Sequence, residues 1–464
     1  MKGLLATGLA AASFAAAHPG HSLPPATLFQ PTVKTGLEVL IESNYKQLAG
    51  KNVLMLTNPT GITTGLELGI DVMVQDGTVN LVGVMGPEHG FRGTSQNGGG
   101  ESTFVDAKTG LTVYVGSPIV LRQSTGLDCN DLLTTQDAYN VNTTVLTSYI
   151  AESGADTVLF DIQDVGARFY TYIWAMYDTM VAAAMSNVSY VVLDRPNPIT
   201  GMNAFGPVLN ESFINSYVGR RAIAQAHGMT AGELAKMFVG EGWIKETAGG
   251  ADLTSLTVIP MKGWNRHMTF AETGLPWVIP SPNMPTVDTA MMYPGTCMFE
   301  GTSIAEGRGT TTPFEIIGAP WTNETWTTTM RSQNISLTDY RFQCFTPVSN
   351  KFENEVCCGV QTYLRPQTKE DYANLDPVYI GLNLLWAARN LYADGSTSGS
   401  GNTTNSFHWT FNGASTTTYD VDVLTGSTLV REGIEAGLTP DAIREAWTPA
   451  LDVFKKKRKH YLIY

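Results

Sequence analysis

Charge of either sign is scarce in this 464-residue chain: only 15% of its residues are Asp, Glu, Lys or Arg, and acids outnumber bases 42 to 29. The formal charge of −13 argues against nucleic acid or an anionic membrane as partner. Long apolar runs are also missing. Beyond the N-terminal segment none approaches the roughly 20 residues that a bilayer-spanning helix needs. There is no G-x-S-x-G elbow, which counts against a serine α/β-hydrolase. No Walker A motif occurs and no G-x-G-x-x-G follows the first predicted strand, so nucleotide and dinucleotide cofactors lose their usual cradle. Five cysteines without paired C-x-x-C units make no zinc pattern. No cofactor is expected, and no internal repeat is visible.

What remains is 43% hydrophobic, enough for a substantial core. Four short apolar runs each end in a polar turn. Asn52-Val-Leu-Met-Leu56 runs into Thr57-Asn58-Pro-Thr60-Gly61, and Asn80-Leu-Val-Gly-Val-Met85 into Gly86-Pro-Glu88-His89-Gly90-Phe-Arg92-Gly93. Residues 156–160 run into Asp161-Ile-Gln-Asp164-Val-Gly166-Ala-Arg168-Phe-Tyr170-Thr-Tyr172, and Tyr190-Val-Val-Leu193 into Asp194-Arg195-Pro-Asn197. Helix-like stretches at 143–153 and 173–186 separate these runs. The alternation predicts right-handed crossovers and a doubly wound α/β sheet. Its spatial consequence is that Asn58, Glu88, His89, Asp161, Asp164, Asp194 and Arg195 gather along one sheet edge, where such folds bind ligands.

The expected organisation is a signal peptide over residues 1–17, a Pro-rich lead-in over 18–35, a catalytic domain over 36–285 and a smaller mixed α/β C-terminal domain over 286–464. The signal reading rests on Lys2, the small apolar run 4–12 and Ala15-Ala16-Ala17. With it go sequons at Asn142, Asn187, Asn210, Asn323, Asn334 and Asn402, which point to a glycosylated protein secreted to the extracellular space. Cys344 with Cys357 or Cys358 closes a short local disulfide loop, and Cys344–Cys357 is the candidate pair. The segment 264–321, rich in Pro, Gly and Thr, is expected to be long functional loops. Asp376-Pro377 and Thr439-Pro440 mark helix starts. The run 455–459 is read as a solvated helix end.

Carboxylates dominate the candidate chemistry. Glu88, at a strand end between glycines, is placed as a general acid, with a structural Glu88–His89 turn contact as the plainer reading. Asp161 and Asp164 are candidates for nucleophile or base, or alternatively simple caps of the following helix. Glu300, Glu306 and Arg308 lie on a glycine-supported loop suited to a sugar or carboxylate ligand. His227 is read as structural, because Thr230 and Glu233 form a capping box. A metal site from His89, Asp161 and Asp164 is not demanded by any spacing. Glycoside hydrolysis by acidic side chains leads; a non-catalytic glycan-binding protein and a metal-assisted hydrolase are the competing classes.

These same segments, with His227-Gly-Met-Thr230, Trp277-Val-Ile-Pro-Ser-Pro-Asn283-Met-Pro285, Glu306-Gly-Arg308-Gly-Thr-Thr311 and the terminal Tyr461-Leu-Ile-Tyr464, resemble the exo-β-N-acetylmuramidase family, formerly an uncharacterised bacterial domain family. The likeness runs from about residue 36 to the C-terminus. It implies a Rossmann-like domain packed on a smaller one with the active site in the cleft, and release of N-acetylmuramic acid from non-reducing ends of peptidoglycan-derived muramyl saccharides. It implies Glu88 as catalytic residue, with Asp161, Asp164 or Glu306 as second group or as orienter of the substrate's 2-acetamido group. Arg92, Arg168 and Arg308 become candidates for the lactyl carboxylate. Asn58, His89, Tyr170, Asp194, Arg195, Asn283 and Glu300 complete the expected substrate contacts. Residues 114–140 depart from the bacterial pattern, as do Phe205, where an acid is expected, and Ala305, where a serine is. A secreted eukaryotic, fungal member acting on foreign walls is the expectation, with a related β-hexosaminide as the alternative substrate.

Overall fold

The computed structural model describes residues 32–93, 103–115, 143–214, 216, 218–393, 406–413, 415 and 417–464, all within one compact unit, Pro31–Tyr464. The signal segment, Cys129, Asn142, Asn402 and positions 116–140 lie outside these residues.

The four apolar runs are strands, as expected, and five further strands accompany them in the first part of the chain. In chain order they are β1 (Asn52–Thr57), β2 (Asn80–Gly86), β3 (Phe104–Val105), β4 (Thr112–Val115), β5 (Thr157–Asp161), β6 (Ser189–Leu193), β7 (Phe205–Val208), β8 (Ala224–Ala226) and β9 (Leu256–Ile259). Seven of them form one sheet in the order β3-β4-β2-β1-β5-β6-β9, parallel except for the edge strand β3. Side chains alternate across a strand, and both faces here are covered. Val53, Met55, Val84, Leu159, Val191 and Leu193 enter one core with Leu37 and Leu40 of helix Gly36–Glu42 and Ile70 and Met73 of helix Gly69–Asp76. Leu54, Leu56, Met85, Val158, Phe160, Tyr190 and Val192 enter the other with helices Thr143–Ser153, Tyr172–Met185 and Ala231–Gly240. Burial on both faces explains why these runs show no polar alternation in the sequence.

Register then sets the site. Thr57 pairs with Asp161, Leu56 with Met85 and Phe160 with Val192. The carboxyl ends of β1, β2, β5 and β6 are therefore level, and the sheet grows outward in opposite directions from the β1–β5 pair, where ligands of open α/β sheets bind.

The C-terminal region is built on a three-stranded antiparallel sheet of β10 (Ile316–Ala319), β11 (Thr338–Phe345) and β12 (Cys357–Leu364) in the order β10-β12-β11. Its helix Pro377–Tyr392 starts as expected, with Asp376 accepting from Tyr379 N–H and Pro377 in the first turn. It crosses helix Val287–Thr296 so closely at Gly295 and Gly381 that a Cβ on either would overlap the other's backbone. That second helix corrects the expectation of loops through 264–321. Thr286 caps it, Ala290, Met291 and Met292 bury it, and Pro294 near its end disguises it in the sequence.

Two further corrections concern side chains. The disulfide joins Cys344 to Cys358 and leaves Cys357 a buried thiol. Antiparallel register places Cys344 directly opposite Cys358, while Cys357 faces Phe345 and projects to the other side of the sheet. The basic run is only partly a solvated end of helix Pro440–Arg458. Arg458 is buried and donates to the carbonyls of Gly228 (2.7 Å) and Met202 (2.8 Å), and Lys457 pairs with Glu241 at 2.6 Å.

Candidate functional site

Glu88 follows β2 in a loop with no slack. Gly86 has no room for a Cβ against Phe91 N, and His89, Gly90 and Gly93 all take positive φ. Phe91 is buried and anchors the loop in the core below. The Glu88 side chain keeps 23% exposure. Its Oε2 accepts from Thr171 Oγ1 at 3.0 Å and its Oε1 lies 3.8 Å from His89 Nε2.

Thr171 comes from the β5 turn, so that turn also brings Tyr170 and Tyr172 close to Glu88. The two rings meet edge to face at 5.0 Å. Tyr172 donates to Pro280 O at 2.5 Å, lies in electrostatic reach of Glu88 and has the Asn58 amide beside its hydroxyl. The Tyr170 hydroxyl lies in reach of Glu88 and Asp164, with the Ser281 side chain beside it. Burial pushes both tyrosines above their ordinary range, with the nearby carboxylates adding to the effect, so both stay neutral hydrogen-bonding groups. Asn283 is half-buried in the turn that Met284 N–H closes onto Ser281 O at 3.0 Å.

Asp164 sits beneath this group. Its Oδ2 accepts from Gly166 N–H at 2.8 Å and faces His227 Nε2 at 3.3 Å. His227 is fully buried and its Nδ1 accepts from Met229 N–H, which puts the ring proton on Nε2, toward Asp164. The capping box of Thr230 and Glu233 is present as expected, yet His227 also supports a site carboxylate. Asn58 Oδ1 accepts from Thr60 N and Oγ1 at 3.0 and 2.5 Å, closing the turn after β1.

Several expected site residues are occupied elsewhere. Asp161 has no exposed surface, and Arg195 grips both its oxygens at 2.6 and 2.9 Å. That geometry corrects its reading as nucleophile or base, and Arg195's as a substrate contact: together they form a structural ion pair joining the ends of β5 and β6. Asp194, also without exposure, receives Gly232 N–H, Thr230 Oγ1 and Tyr464 OH within 2.8 Å, so it caps helix Ala231–Gly240 and ties down the C-terminus instead of meeting substrate. Arg168 is wholly buried and donates to Val218 O and Leu424 O, and burial lowers its pKa to about 9. All three guanidinium nitrogens of Arg92 are spent on Asp106 and Asp71. Neither arginine remains a good candidate for substrate.

The second carboxylate cluster lies on the other side of Tyr170. Tyr293 packs against Tyr170 at 5.7 Å and Phe314 at 4.7 Å, and Arg308 lies over Phe314 at 5.0 Å. Arg308 donates from Nε and Nη2 to Glu300 and lies 3.4 Å from Glu306. Burial opposes its charge, but Glu300 and Glu306 outweigh that and hold its pKa above the ordinary value. Glu306, 3% exposed, is covered by Lys351, whose Nζ also donates to the carbonyls of Phe299, Glu300 and Ile304. That corrects Glu306 as a catalytic group; it shapes the loop. Lys351 and Tyr293 escaped the sequence reading, the first because no local pattern links it to Glu306, the second because its helix was hidden.

Buried carboxyls also leave a thermodynamic signature. Burial raises Asp194 from 3.8 to about 6 against the pull of its three donors, and burial likewise raises Asp420 and Asp422 to about 6. The folded chain therefore holds more protons than the unfolded chain between those values. Stability from these groups is complete below about 4 and lost as pH rises through 6, because a tenfold difference in proton affinity between the two states corresponds to about 1.4 kcal/mol. A thermal midpoint higher at pH 5 than at pH 7.5 is expected, and Asp194→Asn should flatten part of that difference; a midpoint that rises with pH would contradict it.

Comparison with known proteins agrees with this geometry. A family model described as the N-terminal part of the exo-β-N-acetylmuramidase NamZ matches residues 53–115 and 122–288, and its C-terminal counterpart matches 291–464. The chain is 37% identical over 439 residues to the peptidoglycan β-N-acetylmuramidase NamZ of Bacillus subtilis (strain 168), covering 94% of this chain and 93% of that protein. Two solved structures of DUF1343-family proteins from Bacteroides fragilis NCTC 9343 share the fold. One is 29% identical with a TM-score of 0.74 over 94% of this chain and all of that one; the other is 30% identical with 0.65 over 93% and 99%. Matched by both family models over residues 53–115, 122–288 and 291–464, the chain belongs to the NamZ exo-β-N-acetylmuramidase family.

Proposed function

We propose that this protein is a glycoside hydrolase that releases N-acetylmuramic acid from the non-reducing ends of peptidoglycan fragments. The observation that carries it is Glu88, a partly exposed carboxyl held by Thr171 at a level sheet edge, near the paired rings of Tyr170 and Tyr172. The sheet is taken as a Rossmann-like doubly wound domain, and the cleft between it and the C-terminal region as the active site. Strand order and the Tyr170–Tyr293 contact support that placement.

Of the three candidate arginines, Arg308 fits the lactyl carboxylate best. It is 28% exposed and its Nη1 makes no hydrogen bond among the described residues. A site that hydrogen-bonds a substrate group rejects the analogue lacking it, because its own polar groups are then left unpaired. The test is release of 4-nitrophenol by the full glycosylated chain from its β-N-acetylmuraminide and its β-N-acetylglucosaminide. At least about a hundredfold preference for the muraminide is expected, shrinking in Arg308→Gln. A folded sample that cleaves neither, or prefers the glucosaminide, overturns the proposal.

Secretion to the extracellular space is the second part of the proposal. The small apolar N-terminal run supports it. So does the Cys344–Cys358 disulfide, since such bonds persist in oxidising compartments. Sequon residues Asn187, Asn210, Asn323 and Asn334 are exposed, as attached glycans require. Enzymatic deglycosylation of secreted protein should lower its apparent mass; unchanged mass would remove the glycoprotein reading.

A further inference from the structure

We infer that Asp164, with Tyr170 and Asn58, forms a receptor for the 2-acylamido group of the sugar beside Glu88, and that this group serves as the reaction's nucleophile. This rests on the glycosidase reading.

Besides His227 Nε2, which faces Asp164 Oδ2 at 3.3 Å, three buried polar atoms around Glu88 close no well-aligned hydrogen bond among the described residues: Asp164 Oδ1, Tyr170 OH, which has Ser281 and Tyr172 beside it, and Asn58 Nδ2, which has Tyr172 beside it. Burial penalises a polar atom left unsatisfied, so three near one partly exposed carboxyl mark a place where a ligand completes the bonds. Their placement follows from the β5 turn. Thr171 bonds Glu88, Tyr170 before it reaches toward Asp164, and Tyr172 after it reaches toward Asn58. Two are donors and one is an acceptor. A secondary amide offers the complement, one N–H and one carbonyl. Asp164 is suited to the N–H: Gly166 N–H donates to its other oxygen, which also faces His227 Nε2 at 3.3 Å, and neither Lys nor Arg pairs with it among the described residues. The three atoms are closed to solvent, with Pro280 and Ser281 lying against the tyrosines, so that segment has to draw back to admit the sugar.

Elimination points the same way. Asp161 is sealed in its pair with Arg195, and Glu306 under Lys351 and Arg308. The candidate carboxylates thus provide an acid but no placed nucleophile. In the step that follows, the acylamido carbonyl oxygen bonds to C1 as the C1–O glycosidic bond breaks. The bond's electron pair leaves with the departing oxygen, which takes a proton from Glu88, while the amide proton passes to Asp164 and a neutral oxazoline forms. Water then adds to C1 and gives its proton to Glu88; the C1–O bond of the oxazoline opens, and Asp164 returns its proton to nitrogen. Two displacements at C1 retain the β configuration.

The test compares 4-nitrophenyl β-muraminides bearing N-acetyl, N-fluoroacetyl, N-difluoroacetyl and N-trifluoroacetyl groups on the wild-type protein. Fluorine withdraws electrons from the attacking oxygen, so kcat/KM should fall about tenfold per fluorine. Proton NMR of the first product should show the β anomer. A flat series, or an α product, overturns the inference even while the muraminide is turned over. No turnover of any muraminide brings down the glycosidase reading itself, a distinguishable failure. Asp164→Asn, with its fold checked by thermal midpoint, should lose about 10²-fold in kcat with little change in KM and flatten the residual fluorine dependence. A variant that keeps wild-type kcat and slope removes Asp164 from the step.

Discussion

Glu88→Gln is expected to slow cleavage of a muropeptide disaccharide by about 10²–10⁴-fold, the usual contribution of a placed general acid. The substitution is nearly isosteric. The glutamine carbonyl can still accept from Thr171 Oγ1, and the loop below is fixed by Phe91 and the glycine turn, not by the charge. KM and the thermal midpoint should therefore stay close to wild type. The size of the loss should depend on the leaving group. A departing sugar alcohol needs its proton, whereas 4-nitrophenolate leaves with little help, so the aryl muraminide should suffer less in bond cleavage. Steady-state rates on both substrates measure the contrast. Retention of more than about a third of wild-type kcat on the disaccharide by a folded Glu88→Gln protein would deny Glu88 the acid's role.

Asp161→Ala should act on the opposite property, stability. Among the described residues it leaves the buried Arg195 guanidinium only Ile62 O as partner, and removing one member of such a pair typically costs about 3–5 kcal/mol. Removing both, as Asp161→Leu with Arg195→Met, deletes the stranded charge as well, so the double variant should recover most of the loss. Urea titration of wild type, the single and the double variant measures this coupling. If the alanine variant unfolds within about 1 kcal/mol of wild type, the pair is not what holds the β5 and β6 ends together. Activity of the single variant should fall only where the folded fraction falls, which separates a structural carboxylate from a catalytic one.

The strand ends were legible because parallel strands buried on both faces must be apolar throughout, and the break into Asn58, Glu88, Asp161 and Asp194 is abrupt. The starts at Thr230, Asp376 and Thr439 were legible too, since a cap is a contact between neighbours in sequence. What could not be read was the task of each charged residue at the edge. Asp161, Asp164 and Asp194 look alike in a sequence. In the fold one meets Arg195, one keeps an open oxygen beside Tyr170, and one receives Tyr464 from 270 residues away. The partners of Arg92, Arg168 and Glu306 lie 14, 256 and 45 residues off, beyond any local pattern. The cysteine choice turned on a single step of register.

By itself the sequence determined which segments are strands, where their polar ends lie and that Glu88 stands at one of them, because hydrophobic periodicity and turn chemistry act over a few residues. Tertiary structure alone decided which carboxylates are neutralised by arginine, which are hydrogen-bonded as caps and which stay available to a sugar. Those outcomes depend on charges and donors brought together by sheet register and domain packing, and an ionisable group takes its role from whatever the fold places within hydrogen-bonding distance of it.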